Sequence, residues 1–175
     1  MIDFQLTEEQ MALRDRARKF ALGEILPVAK KYDRSGEFPR EVIEKAFKAG
    51  LMNLAVPKKY GGAGHGTIES VIVVEEMAAA CAGMTTTIYV NDLGLMPIIL
   101  GGNDAQKRKF LVPFTERLRF AAFATSEPGM GSDVAGIQAT YDREGDSYVL
   151  NGSKFFITNA DFADQYVIFA RKKGT

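Results

Sequence analysis

The run Phe123-Ala124-Thr125-Ser126-Glu127-Pro128-Gly129-Met130-Gly131-Ser132-Asp133 is where this chain concentrates groups able to hold a ligand. An apolar stretch stops at Glu-Pro, and a glycine-spaced turn then ends in Ser-Asp. Hydroxyls, free backbone N–H groups and two glycines within a few residues suit a loop that wraps an anionic or heteroaromatic ligand closely. The same residues also read as an ordinary turn. A second polar-tipped stretch, Lys154-Phe155-Phe156-Ile157-Thr158-Asn159, reads as a strand and is spaced so that a sheet could bring both together. For Phe155 and Phe156 taken alone, plain strand packing is the simpler account.

Other chemistry is largely excluded by composition. One histidine (His65) and one cysteine (Cys81) make a zinc site of the usual kind untenable, and no metal set is expected. Cys81 sits among alanines, where a small buried thiol is expected, and a lone cysteine forms no internal disulfide. The run Tyr60-Gly61-Gly62-Ala63-Gly64-His65-Gly66 lacks both the Lys-Ser/Thr pair and the preceding strand of a phosphate loop, so it reads as a structural turn with His65 a loop residue. Zero formal net charge and a pI near 6.6 give no general attraction to nucleic acid or membrane. The basic runs Arg14–Lys19 and Lys107–Lys109 read as solvated helix faces. No stretch approaches the ~20 uninterrupted apolar residues that span a bilayer. Met1-Ile2-Asp3-Phe4 leads into a helix start with no cationic or apolar leader, which points to the cytoplasm, or to the mitochondrial matrix if a targeting peptide has been removed.

The elements that must position these residues fall into two blocks. The fold class read from the pattern is α+β: an all-α helical N-terminal domain over residues 1–118, then an antiparallel β-domain beginning at 119. Thr7 with Gln10 forms a capping box, and Leu13, Ala17, Phe20, Ala21 and Ile25 follow at helical spacing. Pro27 is expected to kink that helix or end its regular part. Pro39 opens a second helix burying Val42, Ile43, Ala46 and Phe47 and ending at Gly50. A third starts near Thr67 and is expected to carry Val71, Val74 and Met77 inward. Met84–Leu100 is apolar nearly all round and reads as a central buried helix. Asn103 or Asp104 caps a last helix. Beyond Leu118 the period changes to two: a strand near Gln138–Tyr141, a Gly145 turn, a strand Ser147–Leu150, a tight turn at Asn151-Gly152, and strands Lys154–Thr158 and Gln165–Arg171. These strands lack an obvious closing partner, so the chain reads as the front part of something longer, ending near Thr175.

Ala124–Gly136, reading A-T-S-E-P-G-M-G-S-D-V-A-G, resembles the flavin-loop signature of the acyl-CoA dehydrogenases. Supporting matches run in order along the whole chain: Leu6–Gln10, Val56–Gly62, Glu75–Ala78, Leu93–Ile98 and Asn151–Asn159. Gly94-Leu95-Met96-Pro97 and Gly102-Asn103-Asp104 resemble the medium-chain type most. The resemblance implies FAD held between the middle β-domain and the helices of a homotetramer, in an enzyme of fatty-acid β-oxidation. It implies removal of hydrogen from Cα and Cβ of an acyl-CoA to give the trans-2-enoyl-CoA, with electrons passing to an electron-transfer flavoprotein. The C-terminal helical domain, which in this family supplies the catalytic carboxylate, is absent from these 175 residues, so no catalytic base is assigned and Glu127 is left as a loop residue.

By residue matching, Phe123, Thr125 and Ser126 would line the isoalloxazine, the Ser126 hydroxyl and local N–H groups bonding its pyrimidine edge. The family more often has Thr than Ser at 126. Gly131 and Ser132 match positions near the FAD pyrophosphate and the CoA portion of the substrate. Phe156, Ile157 and Thr158 match the strand whose ring packs beside the flavin, with Thr158 near N5; Phe156 stands where Trp is usual and lacks the indole N–H. Tyr89 falls where medium-chain enzymes carry an acidic residue at the floor of the acyl pocket, and is expected to shorten or reshape it. Asp92, nearby, reads either as an internally bonded cap or as a substrate contact or second base, the latter needing a raised pKa. Two other readings stay open here: an acyl-CoA oxidase or flavin monooxygenase using the same site, and a short non-catalytic binding or assembly module.

Overall fold

The computed structural model describes residues 5–174; Met1–Phe4, with the expected leaderless start, and Thr175 lie outside the described residues. α1 (Glu8–Phe20) opens on the expected box: Thr7 Oγ1 accepts from the Gln10 N–H, and the Gln10 carboxamide accepts from the Thr7 N–H. Replacing Thr7 with Ala in the full-length protein should cost about 1 kcal/mol, read as a lower denaturant midpoint. Leu13, Ala17 and Phe20 lie inward. The helix does not stop at Pro27. A π-helical stretch, Ala21–Ile25, absorbs the hydrogen bond that a proline nitrogen cannot donate, and α2 (Leu26–Ser35) continues from it.

α3 (Arg40–Lys48) buries Val42, Ile43 and Ala46 behind Pro39. α4 (Thr67–Ala80) starts where expected and buries Met77 as expected, with Val74 half-buried, but Val71 is turned outward, 57% exposed, and Ile72 and Val73 take the inner face. Apolar residues occur all round this helix, so periodicity alone does not select the buried stripe. α5 (Ala82–Gly101) runs through the centre, and α6 (Asp104–Glu116) follows, capped by Asn103 and Gln106 in a second capping box. One core joins α1, α3, α4 and the start of α5 around Ile25, Ile43, Leu51 and Met77; a second gathers Val56, Tyr60, Leu95, Leu111, Phe114 and Ala121.

The glycine run between these helices is structural, as read from sequence. Lys58–Tyr60 forms one 3₁₀ turn, and a Cβ on Gly62 would stand 2.0 Å from the Val56 carbonyl oxygen. Only a glycine fits that approach of backbone to backbone.

The β-part comprises β1 (Ala121–Ala124), β2 (Thr140–Glu144), β3 (Ser147–Asn151), β4 (Gln165–Ile168) and β5 (Arg171–Lys172). β2 and β3 form the expected antiparallel hairpin across Gly145-Asp146, while β1 pairs with β4 and β2 with β5 in parallel, so the sheet structure is mixed. Three local expectations change. Asn151 ends β3 opposite Thr140 and does not form a hairpin turn with Gly152. Lys154–Thr158 is not a strand: Phe156 sits at φ +56°, and the Phe155 N–H donates to the Ser126 carbonyl in a loop instead of to a ladder. The single expected strand Gln165–Arg171 divides into β4 and β5, which join different sheets. Among the described residues no helix is long and apolar enough to cross a membrane.

Candidate functional site

β1 ends at Ala124, and the chain then leaves the sheet as Thr125-Ser126-Glu127. Glu127 closes a two-residue turn with Met130: each N–H donates to the other's carbonyl, at 2.9 and 3.1 Å. The Glu127 side chain is buried and ties three segments together. One carboxylate oxygen accepts from the Gln138 N–H at 2.7 Å, and the other from the Ala139 N–H at 2.9 Å and from Lys154 Nζ at 2.8 Å. The Lys154 ammonium beside it, together with the two N–H donors, holds the carboxyl well below the usual range, at about 2. Lys154 Nζ also donates to the Thr125 carbonyl at 2.9 Å, and the Phe155 N–H donates to the Ser126 carbonyl at 2.9 Å. The two stretches singled out in the sequence therefore meet, through an ion pair and main-chain bonds rather than through a sheet.

The second stretch then turns sharply. Phe156 and Asn159 adopt left-handed backbones at φ +56° and +64°, and for a bulky aromatic that conformation is a true outlier. The Phe156 ring is 86% exposed, with the Phe155 ring tilted against it at 4.1 Å between centroids. Asn159 is buried and donates from Nδ2 to the Thr87 carbonyl, anchoring the turn on α5. Thr158 thereby shares a cleft of about 230 Å³ with Tyr89, Leu93, Thr86, Val90 and Ala82. Tyr89 is 38% exposed there. A matched flavin-side residue and a matched substrate-side residue face one space.

Several of the expected contacts stand open to a ligand. Thr125 Oγ1 is shielded from solvent yet has no hydrogen-bond partner among the described residues. A Cβ on Gly131 would meet nothing within 4 Å, and Gly131 and Ser132 are exposed. Phe123 is partly buried, its ring 5.0 Å from that of Phe169, and Ser126 and Ile157 are partly buried. An orphaned hydroxyl, an exposed ring on strained backbone and open space at the loop glycine fit a flat heteroaromatic group with a polar edge.

Asp92 is placed elsewhere. Both its oxygens accept main-chain bonds, from the Leu54 N–H at 3.1 Å and the Ala55 N–H at 2.8 Å, the internally bonded alternative. Burial raises its pKa to about 6 in spite of those two donors. Sequence reasoning singled out the stretch 154–159 but gave its ends, Lys154 and Asn159, no role. The available signal was a lone cation and an Asn flanking the apolar run Phe155-Phe156-Ile157. Among the described residues, no group of three or more His, Cys, Asp or Glu could hold a metal ion.

Residues 7–117 match the acyl-CoA dehydrogenase N-terminal domain and residues 122–175 the acyl-CoA dehydrogenase middle domain. The chain belongs to the acyl-CoA dehydrogenase family. It is 38% identical over 170 residues to a probable medium-chain specific acyl-CoA dehydrogenase of Caenorhabditis briggsae, covering 97% of this chain and 42% of that protein. It is 40% identical over 179 residues to a short-chain specific acyl-CoA dehydrogenase of Clostridium acetobutylicum, covering 99% and 47%. The structure superposes with a TM-score of 0.89 on an acyl-CoA dehydrogenase complexed with FAD from Bacillus anthracis, 33% identical, covering 99% of this chain and 30% of that one. The chain thus spans less than half the length of these relatives.

Proposed function

We propose that the protein to which this chain belongs is an FAD-dependent acyl-CoA dehydrogenase. It converts an acyl-CoA to the trans-2-enoyl-CoA and passes the electrons to an electron-transfer flavoprotein, working as a homotetramer. The observation that carries this reading is the shared cleft of Tyr89 and Thr158, bonded through Lys154 and Phe155 to the loop Thr125–Glu127. Bound beside that loop, FAD supplies the acceptor for the hydride leaving Cβ. Thr125, Ser126 and the loop N–H groups would bond its polar edge. The exposed Phe156 ring, Phe123 and Ile157 would supply apolar contact to its ring system, and Thr158 would offer a hydroxyl to it. Gly131 and Ser132, both exposed, would lie toward the pyrophosphate and the CoA portion. Glu127 stays ionised and accepts three hydrogen bonds, so it positions the loop and is not the proton-abstracting base.

Tyr89 shortens the acyl end of the cleft. In the full-length enzyme Tyr89→Ala should move the preferred substrate to chains about two carbons longer, raising kcat/KM for them roughly tenfold. An unmoved chain-length profile would separate Tyr89 from the pocket. The function itself is tested on the full-length protein by its visible spectrum under anaerobic conditions, before and after a panel of acyl-CoAs. A flavin band that bleaches with one chain length supports the reading and gives the substrate class. A colourless protein that cannot be reconstituted with FAD overturns it.

A further inference from the structure

Asn91 and Asn53 form a buried polar hub beside Asp92. Asn91 is fully buried and Asn53 is 4% exposed. Asn91 Nδ2 donates to Asn53 Oδ1 at 3.0 Å and to the Arg119 carbonyl at 2.8 Å, while its Oδ1 accepts from the Ala121 N–H at 2.8 Å. Asn53, on a left-handed backbone at φ +58°, donates from Nδ2 to the Phe114 carbonyl at 2.8 Å. One carboxamide on α5 therefore grips the chain on both sides of Phe120, just where it enters β1. A second ties that grip to the last turns of α6.

The grip is reinforced by steric fit. Asn91, Gly94 and Leu95 share one face of α5 at helical spacing, all buried. A Cβ on Gly94 would stand 2.8 Å from the Ala121 Cβ and 3.4 Å from the Ala122 nitrogen, so α5 lies almost directly on the β1 backbone. The same helix carries Tyr89 and Leu93 on its cleft-lining side. β1 runs within a residue of Thr125 and Ser126. The distance between the substrate-lining wall and the cofactor loop is thus set by α5 lying on β1, and Asn91 is the polar bond set that holds that register.

We infer that Asn91 is a positioning residue for the dehydrogenation: it touches neither ligand, yet it fixes the cofactor loop relative to the acyl cleft. Buried amides of this kind favour a single arrangement, because any slip of β1 leaves their donors and acceptors unpaired in apolar surroundings. The inference rests on the dehydrogenase reading only for the ligands; the structural clamp stands without it.

The test compares full-length holoenzyme with Asn91→Ala, Asn91→Ser and a control, Leu13→Ala, which opens a cavity in the first core away from the site. Asn91→Ala is expected to lower kcat at least tenfold at saturating acyl-CoA with KM changed less than threefold, and to shift the visible circular dichroism of the bound flavin. Leu13→Ala should lower the melting temperature comparably and leave both readouts at wild-type values. Should Asn91→Ala fail to fold, Asn91→Ser is read the same way. Hydrogen exchange over residues 119–127 gives an arm independent of flavin: it should quicken at least tenfold in the Asn91 variants, with α1 unchanged. Unaltered exchange there, or losses matched by Leu13→Ala, would overturn the inference. A wild-type protein that binds no flavin while exchange at 119–127 still responds would defeat the functional reading and leave the clamp standing.

Discussion

Full-length protein carrying Lys154→Met should bind FAD at least about tenfold more weakly than wild type, although nothing at that position packs on the ring itself. Lys154 joins the second stretch to the Thr125–Glu127 loop, through Glu127 at 2.8 Å and the Thr125 carbonyl at 2.9 Å. The ion pair is well shielded, with side-chain exposures of 12% and 5%. Removing the ammonium leaves a buried carboxylate with only the Gln138 and Ala139 N–H groups, and losing one partner of such a pair is far worse than losing both. The sharper measurement is therefore a cycle: Glu127→Gln combined with Lys154→Met should recover part of the affinity lost by Lys154→Met alone. The pH response should move as well. Glu127 is held at about 2, below its ordinary value of 4.5, so the stability it contributes is fully present above 4.5 and is lost progressively as pH falls from there through about 2. Without Lys154 the folded-state value rises toward the ordinary one, so that window narrows and the contribution shrinks. FAD titrations of equal midpoint for Lys154→Met and wild type would defeat the assignment.

Asp92→Asn is expected to abolish a pH dependence of stability between about 4 and 6. The folded-state pKa of Asp92 is raised to about 6 from an ordinary 3.8. Between those values the native state holds a proton that the unfolded chain has released, so stability falls as pH rises through that window and levels off above 6. The total is on the order of 3 kcal/mol. Glu127 contributes the opposite sign and at lower pH, so the two are separable. Asn keeps one acceptor for the Leu54 or Ala55 N–H and carries no charge, which removes the slope while losing one bond. Denaturant midpoints measured from pH 4 to 7 on full-length wild type and variant give the difference directly. An identical slope in both would mean that Asp92 is not the group responsible. Unchanged turnover in Asp92→Asn would agree with a brace between α5 and the loop at 54–55, whereas lost turnover would restore a role at the substrate.

Local chemistry made the helical part readable. Thr7 with Gln10, and Asn103 with Gln106, mark helix starts because the residues that satisfy the free N–H groups lie three positions away in the chain. Leu13, Ala17 and Phe20 were legible because charges on the opposite side fix the stripe, while α4 lacks that contrast and Val71 faces outward. The ligand loop was legible as a motif. Its supports were not. Lys154 with Glu127, and Asn91 with Asn53, are long-range pairings, and nothing in either local sequence announces a partner. Phe155-Phe156-Ile157 has strong strand propensity, yet main-chain bonding to Ser126 and the anchor of Asn159 on α5 override it. The division of Gln165–Lys172 between two sheets is likewise a tertiary outcome, since β4 takes its register from β1 and β5 from β2.

The parallel pairing of β1 with β4 also sets a schedule for biosynthesis. Among the described residues every α-helix precedes β1 in the chain, so the helical cores can assemble on their own contacts while synthesis continues. The strand that carries the ligand loop has no such local partner: Ala124 is registered against Ile168. At ribosomal rates of about 5–20 residues per second, that gap is a wait on the order of 2–9 s, longer by the time the exit tunnel takes to clear. Throughout it the Phe123–Asp133 segment hangs from a finished helical scaffold as an unpaired strand edge, open to chaperones and to neighbouring chains. The strand leading into that loop therefore gains its sheet partner late, when β4 emerges and pairs with β1.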